Sequence, residues 1–159
     1  MKQYLMPALV LLLYCSSTFS QGIYKKSATA DYGATYIKIH TNLEDSRFFV
    51  IEEINIGKSL ASLAKKWGED YNRNKLDNIR VMVICNGWYA NRVSNLDTDM
   101  LALCPLRVTL TQKGGVTTAL FARPSTFAKD SPALPVLKEA EDTIIQAIDK
   151  SFPPSPLSN

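Results

Sequence analysis

Apolar and polar positions alternate with period two in several stretches of the chain. Ile79, Val81, Val83 and Cys85 alternate with Arg80, Met82, Ile84 and Asn86, which predicts a strand buried on one face and on much of the other. Leu106, Val108 and Leu110 continue the parity of Cys104 into a second strand. By this parity each strand aims its cysteine toward the core. Lys113-Gly114-Gly115-Val116 then reads as a hairpin, because a tight primed turn needs positive φ and glycine accepts it without steric cost. With the two glycines as the turn, Leu110 faces Ala119 and Val108 faces Phe121, and Pro124 ends the strand. Phe48 to Ile56 is a further strand, with Phe48, Val50 and Glu52 on one side and Phe49, Ile51 and Glu53 on the other, broken by Gly57. Ile23 and Tyr24 offer a weak edge strand.

Elsewhere the period lengthens. Tyr36, Ile39, His40 and Leu43 mark one face of a helix capped by Asp31 and running to about Asp45. A strand over 36–40 is the rival reading, and the continuation through Leu43 favours the helix. Leu60, Leu63, Ala64 and Trp67 mark a second helix stopped at Gly68, and Glu69 to Asn78 is a polar loop. A short helix is expected over Trp88 to Asn95. A last one, opened by Ser131 and Pro132, is carried by Leu137, Ala140, Ile144, Ala147 and Ile148 as far as Pro153. The order is strand, helix, strand, helix, strand, short helix, strand, strand, helix. It predicts an α+β fold, an antiparallel or mixed sheet with helices packed on one face, formed by a single domain over residues 21–152.

The two ends change this picture. Lys2, the apolar run Leu5 to Tyr14 and the small, polar Cys15 to Ser20 have the layout of a secretory signal peptide over residues 1–20. Ten apolar residues fall short of the roughly 20 a spanning helix needs, so no stable membrane span is expected once the signal is removed. The expected location is extracytoplasmic, periplasmic or secreted. Residues 153–159, rich in proline and serine, read as a disordered tail.

Composition excludes more than it selects. A net charge of +3, or +2 without the first twenty residues, with no clustered lysines and arginines, argues against nucleic acid as a partner. One histidine, His40, and two cysteines distant from it lack the local spacing of a zinc site. Asp97-Thr98-Asp99 lacks the other ligands and turn glycine of a calcium loop, so these carboxylates read as caps. No phosphate-binding glycine loop occurs, Glu52 and Glu53 point to opposite faces, and Ser94 with Asp97 reads as a turn before a catalytic pair. No catalytic residue, metal or cofactor is assigned.

Val83-Ile84-Cys85-Asn86, then Asp97, then Leu103-Cys104-Pro105-Leu106-Arg107-Val108 and the glycine hairpin resemble the bacterial domain-of-unknown-function family 302 over roughly residues 31–150. The resemblance implies a compact sandwich akin to the TATA-binding-protein fold, often oligomeric, with no established activity. It supplies no catalytic residues.

The stretch from Cys85 to Pro105 is therefore the candidate site. In an oxidising compartment Cys85 and Cys104 invite a disulfide closing a loop of about twenty residues, worth roughly 3 kcal/mol. Inert buried thiols are the second reading, and a redox-active thiol at Cys85, with Arg92 or a helix start after Gly87 lowering its pKa, is the third. Asn86, Trp88, Tyr89 and Asn91 are the candidate ligand-binding residues, since Trp and Tyr give apolar area with a polar handle and Asn fixes orientation. Asn86 and Asn91 are the groups expected to be freest to meet a partner; the bland alternative is that Trp88 and Tyr89 close the core. The expected function is an exported, non-enzymatic module that binds an unknown small ligand or protein, with a homo-oligomer among the candidate assemblies; the alternative is an extracytoplasmic thiol-redox or sulfur-handling protein.

Overall fold

The computed structural model describes residues 22–154, so the expected signal peptide and the end of the tail lie outside the described residues. Five strands form one antiparallel sheet: β1 (Ile23–Thr29), β2 (Phe49–Ile54), β3 (Asn78–Cys85), β4 (Leu106–Lys113) and β5 (Val116–Ala122), in the order β1-β5-β4-β3-β2. This is the expected α+β class. The hairpin has the register its glycines predict, with Val108 opposite Phe121 and Leu110 opposite Ala119. Gly114 and Gly115 have φ of +53° and +79°, a region costly for other residues.

Two long helices cover one face. Helix α1 (Tyr32–Asp45) begins where the Asp31 carboxylate accepts the Ala34 amide at 2.7 Å. Helix α5 (Leu134–Ser151) starts later than expected: Ser131 donates to Asp97 and accepts from the Ala133 amide, closing a turn before the helix. Tyr36, Ile39 and Leu43 of α1 and Ala140, Ile144 and Ile148 of α5 close over Met82, Ile84, Val108, Leu110, Ala119 and Phe121. Asn42 donates to Ser151 at 2.9 Å between the two helices, and Tyr24 donates to Asp149 at 2.5 Å, tying β1 to α5.

Three expectations are corrected. A bulge between Val50 and Glu52 shifts the register of β2, so Glu53, opposite Met82, joins Val50 on the helix-covered side, while Glu52 turns away opposite Val83. The helix expected over Leu60 to Trp67 is two short pieces, α2 (Ile56–Ala61) and α3 (Ala64–Trp67), neither with a buried residue; without a covered apolar face nothing holds the two turns in one axis. Gly57 lies inside α2 and allows it to lie against β3, since a Cβ there would stand 3.3 Å from the Ile79 amide nitrogen. Lastly, the helix-covered face of β3 belongs to Met82 and Ile84, so Cys85 shares the opposite parity with Val81 and Val83, which are also buried. Among the described residues no helix is long and apolar enough to cross a membrane.

Candidate functional site

Between β3 and β4 the chain forms helix α4 (Gly87–Leu96) and a 3-10 helix over Thr98–Leu103. The Asn86 side chain starts α4 by accepting the Trp88 and Tyr89 amides at 2.9 and 3.2 Å. That carbonyl oxygen is therefore committed to the fold and is not the free recognition group expected. Asp97 performs the same task for the 3-10 helix, accepting the Asp99 amide at 3.1 Å.

Tyr89 turns inward. Its ring stacks on Phe48 with centroids 5.4 Å apart, and its hydroxyl donates to Glu139 of α5 at 3.0 Å. Burial, joined by the Glu139 contact, pushes its phenol above the usual value. Arg92 donates to the same carboxylate at 2.8 Å and lies 5.8 Å from the ring centres of both Trp88 and Tyr89. These bonds from Arg92 and Tyr89 hold the Glu139 carboxyl below its ordinary range. Arg92 is thus engaged with Glu139 and two rings. Trp88 is 65% exposed and Asn91 is exposed, so of the four predicted recognition residues these two face solvent.

Under α4 lies an apolar cavity of about 30 Å³, room for about one water molecule. Its walls include Phe48, Ile84, Tyr89, Val93 and Leu137, and both cysteines. Cys85 and Cys104 are free, half-buried thiols, so the expected disulfide does not join them. Burial, then the proximity of Cys85, raises the Cys104 thiol above its ordinary pKa. Residues Cys104, Pro105 and Leu106 also wall a second cleft of about 260 Å³, completed by Ala102, Arg107, Pro124 and Phe127. Phe127 is 64% exposed. Sequence reasoning did not find this cleft; its one signal was an aromatic residue in the otherwise small and polar stretch after Pro124.

His40 lines neither space. Its two ring nitrogens lie 3.9 Å from Glu44 and from Glu53. Among the described residues no group of three or more His, Cys, Asp or Glu side chains is arranged around a metal position.

Comparison with protein families matches residues 23–151 to "Domain of unknown function DUF302". The chain belongs to the DUF302 family. A solved DUF302 structure, the uncharacterized conserved protein from Bacillus stearothermophilus, superimposes with a TM-score of 0.71 at 18% identity, covering 84% of this chain and all of that one. At that identity the likeness speaks for the fold alone. No curated protein matches the sequence.

Proposed function

We propose that this DUF302 chain is an exported, non-enzymatic binding module whose site is the cleft beside the Cys85 to Pro105 segment. The observation that carries the reading is the 260 Å³ cleft itself, with a largely exposed phenylalanine at its edge and Arg107 among its walls. An apolar hollow with one cation suits a small amphiphile bearing an anionic end, or an apolar side chain followed by a carboxylate on a partner protein. Trp88 and Asn91, exposed on α4, are the further groups proposed to contact a larger partner.

Titration with short-chain carboxylates of increasing length, followed by protein NMR, tests this. Saturable shifts at Ala102 to Arg107 and at Phe127 are expected. Phe127→Ala should weaken binding about tenfold, the worth of an aromatic contact, and Arg107→Ala should abolish the preference for a carboxylate over the matching alcohol. Absence of saturable shifts, or binding indifferent to both substitutions, defeats the reading. Mass analysis of the exported chain tests the location: Gln21 is the expected first residue, and a retained Met1 contradicts it.

The thiol-redox reading is favoured by one observation, that both cysteines border the same cavity. Its weakness is electrostatic, since a raised Cys104 pKa disfavours the thiolate that exchange requires.

A further inference from the structure

The small cavity under α4 is bordered by two thiols, by the Asn86 amide, and for the rest mostly by apolar groups such as Phe48, Ile84, Val93 and Leu137. Neither a histidine nor a carboxylate lines it. Zinc, which takes four ligands in a structural site, finds half a set here. A soft d10 cation is different. Copper(I) is matched to thiolate sulfur, and two opposed thiolates satisfy its linear geometry. We propose that Cys85 and Cys104 together form a two-coordinate site for copper(I).

Three features of the site fit that ion. The cavity, at about 30 Å³, has room for one atom between its walls and none for a further large ligand. Its largely apolar lining, with Asn86 as the one amide side chain, offers few of the hard donors that would favour other metals. The third feature is charge. Two thiols give up two protons as two Cu–S bonds form, leaving a complex of charge −1: Cu⁺ + 2 RSH → [Cu(SR)₂]⁻ + 2 H⁺. No electron is transferred. Helix α4, ten residues long, starts two residues after Cys85, and the positive end of its dipole stands beside the negative complex. Because binding releases two protons, copper competes with protons and affinity rises with pH.

The site shares the Cys104 to Leu106 wall with the outer cleft but does not rest on the carboxylate reading of that cleft, and it is tested separately. The full chain carrying Cys15→Ser, reduced and free of oxygen, is titrated with copper(I) against the chromogenic chelator bicinchoninate. One copper withheld per chain, release of two protons and X-ray absorption showing two sulfur neighbours are expected. Cys85→Ser and Cys104→Ser should each lower affinity more than about 100-fold, beyond the tenfold to 100-fold typical of losing an outer-shell partner. Thermal melting of each variant identifies those that remain folded, and the stoichiometry and sulfur count of the parent chain stand whether or not they do. Two coppers per chain, nitrogen or oxygen neighbours, a folded single-serine variant that keeps its affinity, or no copper withheld at all overturns the proposal. Phe127→Ala, which tests the outer cleft, should leave copper affinity unchanged.

Discussion

Glu141 is a carboxylate with no exposed surface, and its surroundings explain how it is tolerated. Burial pushes its pKa up, but the Ser125 hydroxyl at 2.6 Å, Arg123 at 2.7 Å and the Ser125 amide at 3.1 Å outweigh that and hold it below the ordinary range. Its contribution to stability is therefore fully present above the unfolded value of about 4.3 and is lost as pH falls through the lower folded value. Glu141→Ala should cost about 2 kcal/mol at neutral pH, the price of leaving the half-buried Ser125 donors and Arg123 without their acceptor, and should flatten the acid side of the stability profile. Urea melts from pH 3 to 7 measure both; a parallel loss at every pH would contradict the ionised carboxylate. Cys104 gives a second expectation. Its raised pKa predicts alkylation by iodoacetamide slower than that of an exposed thiol at pH 7.5, catching up only in alkaline solution. Peptide mass spectrometry of timed samples reads the rate, and modification at the rate of a free thiol would show that burial does not govern it.

Helix α4 shows what an element owes to its first residue. Asn86→Ala removes the one oxygen that accepts two backbone amides and is expected to lower stability by about 1 kcal/mol. Since α4 carries Tyr89 onto Phe48, near-ultraviolet circular dichroism should change with it; an unaltered melting midpoint would refute the capping role. The elements that were legible in sequence have strong local signals: Asp31 before the Tyr36-Ile39-Leu43 face, and paired glycines fixing the β4–β5 register. The bulge in β2 left no such mark, because Phe49 to Ile54 carries apolar residues at both parities and either pairing looked acceptable. The same blurred parity in β3 misplaced Cys85. Residues of the Cys85 to Pro105 segment border both hollows, yet the roles within the segment are decided by three-dimensional partners. Asn86 became a cap, Arg92 met Glu139, and Phe127 came in from the far side of β5.

Over the molecule as a whole, the α1–α5 layer protects one face of the sheet and leaves the other to its own side chains. Phe49 and Ile51 on edge strand β2 are 57% and 59% exposed, whereas Val81 and Val83 on the neighbouring β3, opposite Ile54 and Glu52, are buried. Phe49→Lys and Ile51→Lys should therefore each change stability by no more than about 0.5 kcal/mol, while Val83→Lys should prevent stable folding. Thermal melts of the three variants decide it; a large loss at Phe49 or Ile51 in dilute protein would mean that these residues are covered in solution, and sedimentation velocity would then show the covering copy. The architecture was readable at this scale because it is set by element order, and the DUF302 fold follows from that order together with the covered sheet face.

Cys104, Pro105 and Leu106 are a partition with a different room on each side. A wall three residues thick has one position at a time, so an occupant that moves it outward in the inner room resizes the outer one. Thermodynamic reciprocity then fixes the exchange rate: whatever factor a guest in the cleft imposes on binding at the thiols, the thiols' guest imposes on the cleft.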